Sequence, residues 1–349
     1  MVSFDFQNTM RKIFSLNIAL IAFIFQSQAQ IKFVDFYIEK PQNKIEKCRY
    51  NTIQYLDSRT DTTDYGFALK GGNNDKARVI TKTPLLVQVA DIFNAMKGNQ
   101  TGNGELLFQV RRLIFSEAVG VFGSNSFCQI RLQLYSKDSL MYKKIAFVDT
   151  TLSLSGFNST KLVLKECGNI IRDLIDSVQS NDLSGTQLYS SYEVKNINEV
   201  EKKSIPLYAL DELSDGIYRT SSSFLAQKLD AIVYVEMEDG VINTVKEVDE
   251  EGAMKKVKLK DIFSIVYQGR PYIATKSGFS ILDKRENDFY YKVSVHSANN
   301  AGLIAAALLL GVMGGFIYYE TNPDKNIELK LDHFSGKFLI VNSEKRNDH

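Results

Sequence analysis

The sequence predicts an α+β N-terminal domain, formed by an antiparallel sheet with two packing helices, followed by an all-β C-terminal domain. Apolar residues recur at helical spacing in two segments of the first half. Residues 128–135 alternate strictly between apolar and polar side chains, which is the pattern of a half-buried strand. The second half contains short strand-like runs separated by turn residues. A chain of 349 residues is long enough for two domains of this kind.

Residues 1–29 have the organisation of a secretory signal peptide. Arg11 and Lys12 precede an apolar run at 13–25, and a small-residue cleavage motif ends at Ala29. Thirteen residues of helix extend about 20 Å, which is shorter than the roughly 30 Å hydrocarbon core. We therefore expect cleavage before Gln30, with Met10 as an alternative start, and an exported protein in the periplasm or envelope membrane.

Residues 30–183 are predicted to form the α+β domain. Thr83 and Pro84 are typical of a helix start, and Gly98 of a helix end. The sequence then predicts a break at Gly102 and strands over 106–115, 128–135 and 140–152. A second helix is expected to begin at Asn158 or Ser159. The polar residues 184–204 are predicted to be a linker.

Residues 205–342 are predicted to be β-rich, and 343–349 a tail. Two alternating apolar runs flank Asp239 and Gly240, a strong signal for a β-hairpin. Further short runs follow, separated by turns that contain Gly269, Gly278 and Gly336.

An apolar segment interrupts this β-rich region between Ala301 and Tyr319. Its nineteen residues carry no charge and would extend about 28 Å as a helix. Small residues recur in it, and Gly311 and Gly315 have the GxxxG spacing of close helix packing. The packing positions predicted on this segment are Ala301, Ala307, Gly311, Gly314, Gly315 and Tyr319. Two alternatives remain: the segment spans a membrane, or it forms a helix or hairpin that is buried or peripherally inserted.

Composition and motifs exclude several function classes. Without the signal peptide the acidic and basic residues balance, and we expect no nucleic acid partner. The chain lacks the phosphate-binding, dinucleotide-binding, zinc-protease and serine-esterase motifs. The sequence therefore predicts no cofactor and no catalytic activity.

Three groups of polar residues were weighed as metal sites. Asp57, Asp61 and Asp64 cluster in a loop, but their spacing fits no EF-hand loop, and a solvated turn is expected. An acidic run near Gly252 is expected to be a hairpin tip neutralised by neighbouring lysines. His296 and His333 bracket the apolar segment, and ordinary hydrogen-bonded histidines are expected. The acidic run consists of Glu247, Asp249, Glu250 and Glu251.

The three cysteines are too few for a disulfide scaffold. Cys128 lies on the apolar phase of its predicted strand, and Cys167 lies on the apolar stripe of the second predicted helix. The sequence leaves open whether they pair or remain buried thiols, with the thiols favoured.

Six short phrases occur together in the second half of the chain. In this order they resemble uncharacterised exported envelope proteins of the Bacteroidota type, over about residues 205–342. The resemblance implies a β-rich domain in which a glycine-rich apolar stretch precedes a final hairpin, and it implies no activity. The phrases are Asp215-Gly216-Ile217-Tyr218, Asp261-Ile262-Phe263, Pro271-Tyr272-Ile273-Ala274-Thr275, Gly278-Phe279, Asp288-Phe289-Tyr290-Tyr291 and Glu328-Leu329-Lys330-Leu331-Asp332.

Together these observations predict a non-catalytic cell-envelope protein that is membrane-associated through residues 301–319. Its expected partners are the membrane or other envelope proteins, and its expected role is interaction or assembly. The alternative is a soluble periplasmic binding or transport-auxiliary module for an apolar ligand, which requires a hydrophobic cavity.

Overall fold

The computed structural model describes residues 32–71, 74–120, 123–180, 187–275, 278–294 and 326–340. The predicted signal peptide with Ala29 and Gln30, the apolar segment, His296 and the tail lie outside the described residues. The prediction that the chain is rich in strands arranged in several sheets is confirmed.

The first half is built on a five-stranded sheet with the order β2-β5-β6-β7-β8. Its long central strands form consecutive antiparallel hairpins. The strands are β2 (Ile45–Asp57), β5 (Lys97–Gly120), β6 (Gly123–Asp138), β7 (Met141–Gly156) and β8 (Leu188–Ser190).

The sheet is mixed, and the expectation of a purely antiparallel sheet is wrong because β2 and β5 pair in parallel. Parallel neighbours need a crossover connection, and helix α1 (Leu85–Met96) lies within it. The break expected at Gly102 is also absent, since β5 runs through it. A Cβ at Gly102 would lie 2.3 Å from the carbonyl oxygen of Arg49, so glycine there permits the close approach of β2.

Two helices pack on one face of this sheet. Helix α1 buries Leu85, Val89 and Phe93, and helix α2 (Ser159–Ser180) buries the apolar stripe that includes Ile171. They meet the inward residues of β6 in one apolar core, because strand side chains alternate between faces. The inward residues of β6 are Cys128, Ile130, Leu132 and Leu134.

A smaller three-stranded sheet, ordered β1-β4-β3, lies beside this core. It is joined to β5 by a bridge between Gly66 and Phe115. Its strands are β1 (Lys32–Asp35), β3 (Phe67–Lys70) and β4 (Asp75–Ile80).

Ordered elements occupy most of the segment expected to be a linker. Strand β8 pairs with β7, and helices α3 (Ser191–Lys195) and α4 (Ile197–Lys202) follow it. A capping box formed by Ser190 and Glu193 starts α3. The buried residues of these helices pack on Tyr135 and Leu107, so this segment covers the second face of the five-stranded sheet.

The second half contains three small sheets with the orders β10-β11-β12, β15-β14-β13-β9 and β16-β17-β18-β19. Two short helices, α5 (Pro206–Ala209) and α6 (Ser221–Leu225), pack among them. The first sheet consists of β10 (Ile232–Glu238), β11 (Val241–Val248) and β12 (Met254–Lys256). The second consists of β9 (Gly216–Tyr218), β13 (Ser264–Tyr267), β14 (Arg270–Thr275) and β15 (Gly278–Ile281). The third consists of β16 (Asp283–Arg285), β17 (Asp288–Ser294), β18 (Asn326–Leu331) and β19 (Phe338–Ile340).

Strands β17 and β18, which flank the apolar segment in sequence, are antiparallel neighbours. Their register pairs Ser294 with Asn326, so the chain leaves and re-enters the sheet at one place. A single membrane crossing by the intervening residues would put these two strands on opposite sides of the bilayer. The single-span alternative is therefore wrong. Among the described residues, no helix combines the length and the apolar character needed to cross a bilayer.

Candidate functional site

Within the described residues, a group of buried charged side chains lies on the face of the five-stranded sheet that is opposite helices α1 and α2. A β-bulge in β5 shifts the register between Val110 and Arg112. A bulge locally breaks the alternation of faces. Arg111 and Arg112 both lie on the side of the sheet that carries Arg131 of β6. Their hydrogen bonds place them there, since Arg111 donates to Glu201 and Arg112 donates to Gln129 of β6.

Arg131 joins the two halves of the chain. Its Nη2 lies 2.6 Å from Oδ2 of Asp332, and its Nε lies 2.8 Å from Oδ1 of Asp149 on β7. Arg131 and Asp332 are both buried, and 201 residues separate them in sequence. Asp332 also accepts hydrogen bonds from the backbone N–H and the hydroxyl of Ser335, so it fixes the turn between β18 and β19.

A second ion pair lies beside the first. Arg111 donates to both carboxylate oxygens of Glu201 on α4, at 2.9 and 2.6 Å. His333, which follows Asp332, donates from Nε2 to the same carboxylate at 3.1 Å. Phe334 completes the contact, with its ring centroid 4.6 Å from the Arg131 guanidinium. The four residues Arg111, Arg131, Asp332 and Glu201, together with Asp149, His333 and Phe334, are called the ionic interface below.

A further buried cation ties α4 to the third small sheet. Lys202 is 2% exposed, and its Nζ lies 2.9 Å from Asp288 on β17 and 2.8 Å from Glu199. Asp288 is also paired with Lys330 on β18. These contacts fix the β17–β18 hairpin to the helices that cover the first sheet.

Two carboxylates of the ionic interface, those of Glu201 and Asp332, are held in their charged form. Burial opposes ionisation of Glu201, but hydrogen bonds from His333 and Arg111 outweigh it and lower its pKa to about 2. Burial is also the largest single influence on Asp332 and opposes its ionisation, but Arg131, Ser335 and His333 together outweigh it and lower the pKa of this carboxyl. Separating such a pair would leave an uncompensated charge in the interior, which is strongly unfavourable. The ionic interface therefore holds the β18–β19 turn against the first sheet.

Asp57, Asp61 and Asp64, the candidate metal-binding aspartates, bind neighbouring protein groups instead. Asp57 pairs with Arg59 at 2.8 Å, and Asp64 pairs with Arg78 at 2.7 Å. Asp61 accepts from the hydroxyl and backbone N–H of Thr63. No group of three or more His, Cys, Asp or Glu residues suited to a metal ion occurs in the part of the chain that the structure describes.

Glu247, Asp249 and His333 also have structural partners. Glu247 pairs with Arg219, and Asp249 accepts from the backbone N–H groups of Glu251 and Ala253 in the turn between β11 and β12. The acidic run therefore closes a hairpin, as expected. His333 is a buried, hydrogen-bonded histidine of the ionic interface.

A surface groove of about 510 Å³ lies between residues 39–45 and the outer side of helix α2. Charged side chains dominate its lining, among them Lys40, Lys44, Lys165 and Arg172. This lining does not suit an apolar ligand, which needs predominantly hydrophobic walls.

The ionic interface is not among the sites that the sequence predicts. The signals present were an arginine doublet within the strand-like run 106–115, Arg131 on the polar phase of β6, and Asp332 directly before a turn. None of these three features points to a buried ion pair by itself, since polar residues are expected on one face of a sheet. Their meeting depends on how the second half of the chain packs on the first.

No protein-family model matches the chain, and no curated protein matches it. Among solved structures, it is similar to a protein from Xanthomonas campestris that is described by the family model DUF330. The two sequences are 8% identical, and the match covers 42% of this chain and 91% of that one, with a TM-score of 0.26. A similarity at this TM-score carries no argument about the fold or function of this chain.

Proposed function

We propose that this chain is an exported, non-catalytic cell-envelope protein that acts by binding a membrane surface through residues 301–319. The observation that carries the proposal is the pairing of Ser294 with Asn326, which makes neighbours of the two strands that flank this uncharged nineteen-residue run in sequence. The signal-peptide pattern at 1–29 supports export.

The pairing of β17 with β18 limits how the run between them can contact a bilayer. Antiparallel partners lie about 5 Å apart, so a run joined to them must enter and leave the membrane on the same side. Half of nineteen residues extends about 14 Å as a helix, close to the thickness of one hydrocarbon leaflet. Insertion into a single leaflet therefore suits this run, as it suits other interfacial anchors.

The rest of the molecule provides a fixed support for this contact. Asp288 at the start of β17 is paired with Lys202, and Asp332 directly after β18 is paired with Arg131. Both strands of the hairpin are thus tied to the five-stranded sheet or to the helices that cover it. A role in assembly at the envelope follows, because the membrane contact and the folded body would keep a constant orientation.

Vesicle flotation tests the proposal. The chain from Gln30 onward is mixed with vesicles of phosphatidylethanolamine and phosphatidylglycerol and centrifuged through a density gradient. We expect the wild-type chain to float with the vesicles, and Leu309→Asp to reduce the bound fraction about tenfold or more, because a carboxylate is costly within hydrocarbon.

The matched control is Leu140→Asp, which adds the same charge at an 85% exposed leucine in the β6–β7 turn. This variant should float like the wild type. A wild-type chain that stays with the soluble fraction, or equal losses in the two variants, would refute the proposal.

A further inference from the structure

The two cysteines of the first core face each other. Cys128 on β6 and Cys167 on α2 are both fully buried, and their sulfur atoms lie 3.2 Å apart. They are 39 residues apart in sequence, and they connect a central strand to the helix that packs on it.

The third cysteine has different surroundings. Cys48 on β2 contacts the carbonyl oxygens of Ile45 and Met96 at 3.4 and 4.0 Å. It is buried, and all three cysteines are free thiols in this structure. The geometry therefore selects one pair among the three combinations that three cysteines allow.

We propose that Cys128 and Cys167 form an intramolecular disulfide that links β6 to α2, while Cys48 stays a thiol. A disulfide needs its sulfur atoms about 2.05 Å apart, so the two sulfurs must approach by roughly 1 Å from their present contact. Small rotations of two side chains supply a movement of this size. This disulfide does not require the membrane contact proposed above, and it can be tested on protein refolded in solution.

The oxidant is a low-molecular-weight disulfide or a disulfide-exchange protein. The thiolate of one cysteine attacks this disulfide, forms a mixed disulfide and expels one thiolate. The thiolate of the second cysteine then attacks the sulfur of the first cysteine in the mixed disulfide, which forms the protein disulfide and expels the other thiolate of the oxidant. The two thiolates released from the oxidant take up the two protons that the cysteine thiols lose. The oxidant thereby gains the two electrons that the cysteines give up.

Burial governs when this exchange takes place. The pKa of Cys128 is raised, mainly because burial disfavours the thiolate, and neither sulfur is exposed to a reagent in the folded chain. We therefore expect the bond to form while the chain folds, before α2 closes over β6. Oxidation of the fully folded, reduced protein should be slow.

A link across 39 residues restricts the unfolded chain. Because the disulfide lowers the conformational entropy of the unfolded chain, we expect the oxidised protein to melt at a higher temperature, by on the order of 5 to 10 °C. The double variant C128A/C167A should show no dependence of Tm on reductant.

The experiment refolds the chain from reductant and denaturant into a buffer of oxidised and reduced glutathione. Thiols are then counted in denaturant, and tryptic peptides are mapped without reduction. Trypsin releases Cys128 in residues 113–131, Cys167 in residues 166–172 and Cys48 in residues 48–49. We expect one free thiol per chain and one species that joins the first two peptides.

The control variant Cys48→Ala should give the same linked species and no free thiol. Three free thiols after refolding, or a link that includes Cys48, would overturn the proposal. The linked peptides identify the bond directly, so the result does not depend on how well any cysteine variant folds.

Discussion

Arg131 and Asp332 form a buried ion pair between residues that are 201 positions apart, with Nη2 and Oδ2 separated by 2.6 Å. Asp332 follows strand β18 directly, and Arg131 lies in the middle of the five-stranded sheet. This pair is the centre of the ionic interface, which fixes the second half of the chain on the first.

Asp332→Asn should weaken the ionic interface strongly. The substitution removes one of the two carboxylates that neutralise Arg131 and leaves Asp149 as the other. We expect the free energy of unfolding to fall by about 2 to 4 kcal/mol, since a buried charge then has only one partner. Urea denaturation followed by circular dichroism measures this loss.

The control for this variant is Asp91→Asn, which breaks an exposed pair with Lys40 in which both side chains are about half exposed. Exposed pairs contribute about 0 to 1 kcal/mol, so this change should be small. Equal losses in the two variants would show that the Arg131–Asp332 pair does not hold the structure together.

Acid should weaken the same interface through Glu201. The pKa of this carboxyl is about 2 in the folded chain, below its ordinary value of 4.5. Its stabilising effect is therefore complete above about pH 4.5 and is lost as the pH falls towards 2. Glu201→Gln should lower the free energy of unfolding by about 2 to 3 kcal/mol at neutral pH.

The difference between wild type and Glu201→Gln should close as the pH is lowered through this range. Denaturation curves recorded at several pH values between 7 and 2 provide the measurement. A constant difference at every pH would contradict the assignment, because it would show that the loss comes from packing and not from the charge of Glu201.

Gly66→Ala should destabilise the junction of the small sheet with β5. Gly66 has a φ of +92°, and a Cβ there would lie 2.1 Å from the carbonyl oxygen of Phe115. Gly71 has a similar φ of +81°, but no atom of the residues that the structure describes lies within 4 Å of its Cβ position. We expect a loss of about 1 kcal/mol for Gly71→Ala and at least about 2 kcal/mol more for Gly66→Ala.

Thermal unfolding of the two glycine variants measures this difference. Because backbone conformation is nearly matched, the gap between them reports the close contact with Phe115. Similar melting temperatures would mean that β5 and residue 66 are not in contact.

The local features of the fold follow from sequence patterns. Cys128 was placed on the apolar side of a strand because side chains in strands alternate with a period of two. Residues 106–115, which the sequence also predicts to be a strand, lie in β5. Patterns of this kind depend only on neighbouring residues, which is why they are visible in the sequence.

Long-range features did not follow from those patterns. The sequence predicts a break between two elements at Gly102. This residue lies within β5 instead, because the backbone of Arg49 packs against it. The bulge beside Arg111 and the partnership of Arg131 with Asp332 depend on elements distant in sequence. Such contacts are set by tertiary packing, and a single sequence carries little information about them.

The apolar run shows how structure narrows a sequence-based hypothesis. Nineteen uncharged residues are marginally long enough to cross a bilayer, and the sequence left the single span open. The pairing of β17 with β18 removes that alternative and favours contact from one side.

We propose that the exported protein contacts a membrane from one side through residues 301–319. This contact is tested by labelling the full chain, with Lys292→Cys or Lys337→Cys, in spheroplasts with a membrane-impermeant maleimide. Both lysines are exposed, whereas the native cysteines are buried. We predict a membrane-bound protein that is labelled at both positions without permeabilisation. The proposal would be contradicted if only one of the two positions, or neither, were labelled. It would also be contradicted if the protein were found in the soluble fraction.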